Sequence, residues 1–175
     1  MIPIPELESD RLILRGLQES DWEMIMFLRT DKIVNEFINR PKTENKQEAF
    51  EFISKINRGI KENKLHYWAI TLKNSPKMIG TICLWNFDVN NTVAEVGFDL
   101  SPAFYRKGIM HEALKAVVDY GFHKLKLNKV EAFTHKNNAG SQKLLLKNKF
   151  IINIKLNQND TGDIIFELMN PEANT

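Results

Sequence analysis

The run Tyr105-Arg106-Lys107-Gly108-Ile109-Met110-His111-Glu112 places two cations and a glycine where a strand-like stretch gives way to a helical one. The first backbone N–H groups of a helix have no intrahelical partner, and the helix dipole adds partial positive charge there. Gly108 lacks a Cβ, so backbone can approach a ligand closely at that point. This combination suits a pyrophosphate, although a solvated basic turn has the same composition. A carboxylate stands just upstream. In Thr92–Leu100, strand alternation puts Ala94, Val96, Phe98 and Leu100 on one face and Glu95, Gly97 and Asp99 on the other. Glu95 is then either a proton acceptor in a cleft or a solvated or paired group on a sheet face. Thirty residues beyond Gly108, Asn138-Ala139-Gly140-Ser141 opens another helix, and Ser141 is of the type that caps one. Cys83 lies mid-strand and reads as packing rather than as a nucleophile. His66, His111, His123 and His135 show no metal-ligand spacing, so no metal is expected.

The elements that would position these residues follow from periodicity. Arg11–Arg15 alternates as a first strand, and Ser20 or Asp21 can cap a short helix through Leu28. Thr43 can cap a second helix, with Ala49, Ile53, Ile56 and Ile60 as its apolar stripe and Asn63-Lys64 as its end. His66–Leu72, Met78–Phe87 and Thr92–Leu100 are rich in β-branched and aromatic residues and are separated by turn residues, which predicts an antiparallel meander. Ile109–Lys124 carries Met110, Leu114, Val117, Val118 and Gly121 on one helical face. Lys129–Thr134 reads as a strand and Ser141–Asn148 as a helix. Phe150–Leu156 with Ile164–Met169 reads as a hairpin about Asp160-Thr161-Gly162. The aromatic group Trp22, Phe27, Phe37, Trp68, Trp85 and Phe87 is expected mostly in the core.

The 175 residues suit one domain, with 43% hydrophobic and 26% charged residues as in globular chains. A net charge of +2 and no basic stripe interleaved with aromatics argue against nucleic acid as a partner. No run is long and apolar enough for a membrane span, and the start lacks a signal-peptide pattern. The lone cysteine excludes an intrachain disulfide and fits a reducing cytoplasm, the expected location.

Strand, basic glycine loop, helix, strand, Asn-x-x-Ser, helix and the closing Lys149-Phe150 together resemble the acetyl-CoA core of the GNAT superfamily of N-acetyltransferases. Lys107-Gly108-Ile109-Met110-His111-Glu112-Ala113-Leu114, with the opening Ser9-Asp10-Arg11-Leu12-Ile13-Leu14-Arg15 and Asp21, is similar to the RimJ/RimL ribosomal-protein acetyltransferase branch. The resemblance runs from about residue 8 to about 169, within one domain spanning 1–175. It implies the GNAT α+β fold: a mixed, mostly antiparallel twisted sheet of about seven strands flanked by about four helices. It implies acetyl-CoA as co-substrate, held by Phe98, Leu100, Arg106, Lys107, Gly108, Ile109, Met110, His111, Asn138 and Ser141. In the family pattern the Glu95 strand borders the acceptor cleft, which makes Glu95 the candidate base. Asn138 would meet the pantetheine arm, Ser141 the thioester sulfur, and Phe37, within Asn35–Arg40, the acceptor. Where many members carry an acidic tyrosine this chain has Leu145, and the loop opens with Tyr105 and closes with Met110. The implied reaction is direct acetyl transfer to a primary amine, either a protein N-terminus or a small amine such as a polyamine, amino sugar or antibiotic. A catalytically silent acyl-CoA-binding module is the alternative. A monomer or homodimer is expected.

Overall fold

The computed structural model describes residues 4–154 and 162–173. Its strands are β1 (Leu7–Glu8), β2 (Leu12–Arg15), β3 (His66–Leu72), β4 (Ser75–Trp85), β5 (Val93–Leu100), β6 (Lys129–His135), β7 (Ile151–Ile152) and β8 (Asp163–Met169). Its α-helices are α1 (Trp22–Thr30), α2 (Lys46–Lys61), α3 (Ile109–His123) and α4 (Ala139–Lys147). The eight strands form one sheet in the order β1-β2-β3-β4-β5-β6-β8-β7. β5 and β6 run parallel, joined by the crossover helix α3; the other neighbours are antiparallel. The expected GNAT-like α+β architecture is present, with eight described strands rather than about seven. The additional one is β1, a two-residue edge pairing Leu7 with Leu14, too short to leave a periodic signal.

Each face of the sheet is sealed by different helices. Leu84, Ala94 and Val96 form one core with Leu114, Val117 and Val118 of α3 and Leu145 of α4. On the other face Ile25 and Leu28 of α1 and Ala49, Ile53 and Ile56 of α2 pack with Ala69 and Met78. That second cover ends near β4, and the outward residues of β5, β6 and β8 are mostly half-buried rather than sealed by a helix.

Three helix starts differ from their expectation because a better acceptor lies nearby. Asp21 occupies the position before α1, but its carboxylate takes two 2.8 Å bonds from Arg15 and one from the Gln18 N–H. Asn45, not Thr43, caps α2 by accepting from the Glu48 N–H at 3.0 Å. Thr43 is buried instead, its hydroxyl accepting from Arg29 Nε. Asn138, not Ser141, caps α4 by accepting from the Ser141 N–H at 3.0 Å. Helix α2 stops at Lys61, just before Asn63 turns to φ 54°. The turn expected at Asp160-Thr161-Gly162 lies mostly outside the described residues.

Candidate active site

β5 and β6 pair through Val93–Glu95 and Lys129–Glu131, and the ladder goes no further. Beyond Glu95 the strands diverge. The Thr92 carbonyl accepts from Asn128 on the β6 side, whereas the Ser101 N–H donates to Ile79 on the β4 side. Strand alternation therefore turns the backbone groups of Val96, Phe98 and Leu100 toward the gap. Buried backbone donors and acceptors need partners, so an extended amide-bearing ligand would complete this edge. The gap opens into a cavity of about 260 Å³. Phe98, Phe133, His135, Asn138 and Ser141 line it, with Phe37 reaching in from the α1–α2 segment.

The helix after the gap starts in the manner an anion needs. Gly108 sits at φ 74° immediately before α3, and its carbonyl accepts from the Glu112 N–H. The N–H groups of Ile109, Met110 and His111 therefore stay without an intrahelical partner. His111 Nδ1 is also buried without a hydrogen-bond partner among the described residues. A Cβ on Gly108 would meet Arg11 Nη2 at 3.4 Å, so Arg11 already stands against the loop. The guanidinium of Arg11 is fixed there by Glu112 Oε2 at 2.7 Å and the Lys107 carbonyl at 3.0 Å. These groups fit the phosphates of a nucleotide-like ligand. A larger hollow of about 500 Å³ lies between Arg11, Leu72, Lys73, Asn74, Phe104, Lys107 and Ile109. Its walls hold no carboxylate or hydroxyl, so it has nothing to take a proton from an amine.

Glu95 stands where the ladder ends, on the open face of the sheet. Burial pushes its carboxyl above the ordinary range, an effect Glu131 reinforces. Asn86 Nδ2, donating at 3.4 Å, and Trp85 pull it back in part. Glu131 lies directly opposite Glu95, and Glu167 opposite Glu131. Lys129 Nζ serves this row at 2.6 Å from Glu131 and 3.7 Å from Glu167. Glu95 is thus a half-buried carboxylate without a cation of its own among the described residues. That environment suits a group that must accept a proton near neutral pH.

The structure brings Phe37, Phe98, Asn138 and Ser141 to one cavity. Glu95 immediately precedes the lining residue Val96, at the last pair of the ladder, whereas the Gly108 loop is not part of the cavity wall. No described residue engages the Ser141 hydroxyl, while its N–H is held by Asn138. The side chains of Leu100, Ile109 and Met110 are buried in the core, which leaves their backbone as the main group each can offer a ligand. Lys107 bends back, its Nζ donating to the Ala103 carbonyl at 2.8 Å and resting over Phe104. Arg106 is exposed at φ 60°. Burial pushes the Cys83 thiol up to about 12, as a packing role requires. Trp85 departs from its expected core position. It is 46% exposed and paired opposite Glu95. Its place at the last β4 residue before the turn was the available signal. His135 was also missed as a cavity residue. Its ring stacks on Phe37 with centroids 5.6 Å apart, a contact no sequence spacing encodes. Among the described residues no three His, Cys, Asp or Glu side chains converge to hold a metal ion.

Comparison with known proteins identifies the family and the fold. Residues 11–151 match the family model of the acetyltransferase (GNAT) domain. The uncharacterized N-acetyltransferase YoaA of Bacillus subtilis (strain 168) is 31% identical over 146 residues, covering 83% of this chain and 82% of that protein. The uncharacterized N-acetyltransferase p20 of Bacillus licheniformis is 32% identical over 139 residues, 79% and 78% of the two chains. The ribosomal-protein-S5-alanine acetyltransferase of Vibrio fischeri superposes with a TM-score of 0.81 at 21% identity, covering 96% of this chain and 98% of that one. RimL, the ribosomal L7/L12 alpha-N-protein acetyltransferase, solved in complex with coenzyme A, gives a TM-score of 0.81 at 17% identity, covering 94% and 98%. At these identities the two superpositions establish the fold.

Proposed function

The chain belongs to the GNAT family of N-acetyltransferases, and on that premise we propose that it acetylates the N-terminal amine of a protein, with Glu95 as the base. The observation that carries this reading is the ladder that stops at Glu95. It leaves unpaired backbone along one side of a cavity, directly after a half-buried carboxylate at the ladder's last pair.

Acetyl-CoA supplies the activated acetyl group as a thioester; the chain's residues supply binding, orientation and proton transfer. The free N–H groups after Gly108 would hold the phosphates, and the backbone of Val96, Phe98 and Leu100 would pair with the amides of the pantetheine arm. Glu95 takes a proton from the incoming ammonium, which must be neutral to attack. Ser141, with its hydroxyl unengaged on the cavity wall, donates to the leaving sulfur in place of the tyrosine that Leu145 replaces. Asn138 fixes the start of α4 and so the place of Ser141. Phe37 forms the acceptor-side wall. The relatives named for ribosomal-protein and alpha-N-protein acetylation support a protein N-terminus as the acceptor. The row Glu95, Glu131 and Glu167 favours a second reading, a small cationic amine such as a polyamine.

A thiol-release assay with acetyl-CoA separates the two. Peptides with free N-termini and small amines such as spermidine and an amino sugar are compared at equal concentration. Preference for peptides, with acetyl found on the α-amine by mass spectrometry, is the expected result. Preference for spermidine selects the second reading, and no release with any amine refutes both.

A further inference from the structure

The segment between α1 and α2 carries Phe37 to the cavity, yet it forms turns rather than a helix or strand. Backbone of that kind must be held by side chains. Asp31 accepts from the Ile33 and Val34 N–H groups within the segment, and one guanidinium ties the segment to the sheet. Arg40 Nε donates to Asn35 Oδ1 at 2.7 Å, Nη1 to Asp99 Oδ2 at 2.7 Å, and Nη2 to the Leu28 carbonyl at 2.9 Å. Asn35 extends the clamp by donating to the Leu28 and Asp31 carbonyls. The end of α1, the turn and β5 are thereby tied to one planar ion. The side chains of Arg40 and Asp99 are 19% and 10% exposed, so water does little to loosen the pair.

Resting on the reading that the acceptor enters beside Glu95, we propose that Arg40 is the positioning residue of the acceptor-binding wall. Phe37 lies between the two anchored residues, Asn35 and Arg40, and its ring spans to His135 at the end of β6. Asp99 projects from the same face of β5 as Glu95. The clamp therefore sets the distance between the wall and the base. Arg29 cannot replace Arg40, because it is held by Thr43 and the Pro41 carbonyl. A lysine keeps the charge but cannot meet three acceptors in one plane.

Arg40→Lys and Arg40→Gln are to be compared with Phe37→Ala and Asp99→Asn. The acceptor probes are a peptide with an N-terminal serine and spermidine. Both Arg40 variants are expected to raise the KM of the better probe about tenfold or more, the scale of a misplaced reactant. The acetyl-CoA Kd by calorimetry should stay within about twofold, since the phosphate loop is separate. Arg40→Gln combined with Asp99→Asn should be no worse than Arg40→Gln alone, because both remove one contact. The NMR shifts of the His135 ring protons should move in Arg40→Gln as they do in Phe37→Ala, since both remove the stacked ring. An unchanged acceptor KM, an equal loss of acetyl-CoA affinity, or His135 shifts that respond to Phe37→Ala but not to Arg40→Gln would each overturn the proposal. If the unaltered enzyme acetylates neither probe, the reading of the acceptor's entry fails, and the His135 shifts alone decide the role of Arg40.

Discussion

Glu95 carries two opposing demands that a single substitution separates. As the base, Glu95→Gln should lower turnover by roughly a hundred- to ten-thousand-fold while acetyl-CoA still binds. The loss should shrink as assay pH rises and more amine is neutral unaided. Stability should move the other way. The folded protein holds the Glu95 proton more tightly than the unfolded chain does. Glu95 therefore favours folding when protonated at low pH and penalises it once pH rises through the raised folded value. Thermal melts of Glu95→Gln should exceed those of the parent at neutral pH, and the gain should vanish below about pH 4, the ordinary glutamate range. Asn138 and Ser141 make a second separable pair. Asn138→Ala removes the α4 cap and should cost about 1 kcal/mol of stability. Ser141→Ala leaves that cap intact, because Asn138 receives the backbone N–H, and should slow turnover without lowering the melting temperature. A Ser141→Ala protein that melts early but turns over normally would contradict both assignments.

At the scale of elements, the start of α3 is the most exacting construction. Asp is tolerated in the left-handed region and before a helix, so Gly108→Asp should fold. Its carboxylate would face the ligand's phosphates, and calorimetry should show acetyl-CoA affinity falling by roughly tenfold or more, about 1.4 kcal/mol. Unchanged affinity would remove the loop from the cofactor site. This loop was legible in the sequence because its information is local: a glycine, its flanking cations and the onset of helical periodicity. The meander and the crossover helix were legible for the same reason, since Met110, Leu114, Val117, Val118 and Gly121 all reach the core as their spacing requires. What stayed hidden depends on distant partners. Asp21 has the composition of a cap but binds Arg15 six residues earlier. Arg40 and Asp99 are 59 residues apart in the chain and meet only because α1 lies against the meander. Trp85 has the composition of a core residue, yet α1 and α2 do not extend far enough to cover it.

Taken whole, the molecule is two sheet segments, β1–β5 and β6–β8, laced together by a short parallel ladder and bridged by α3. Antiparallel pairs hold each segment together internally, and the parallel seam stops after Glu95. The open seam makes solvent exchange of the backbone amides a direct reporter of the site. Amides buried within a ladder exchange through larger openings, whereas those facing the gap need little or none. In deuterium exchange, Val96, Phe98 and Leu100 should therefore label faster than Ala94 in the same strand. Saturating acetyl-CoA should protect those three while leaving the β3–β4 ladder near its original rate. The ligand would then serve as an absent strand, lending the enzyme part of its rigidity for as long as it stays bound.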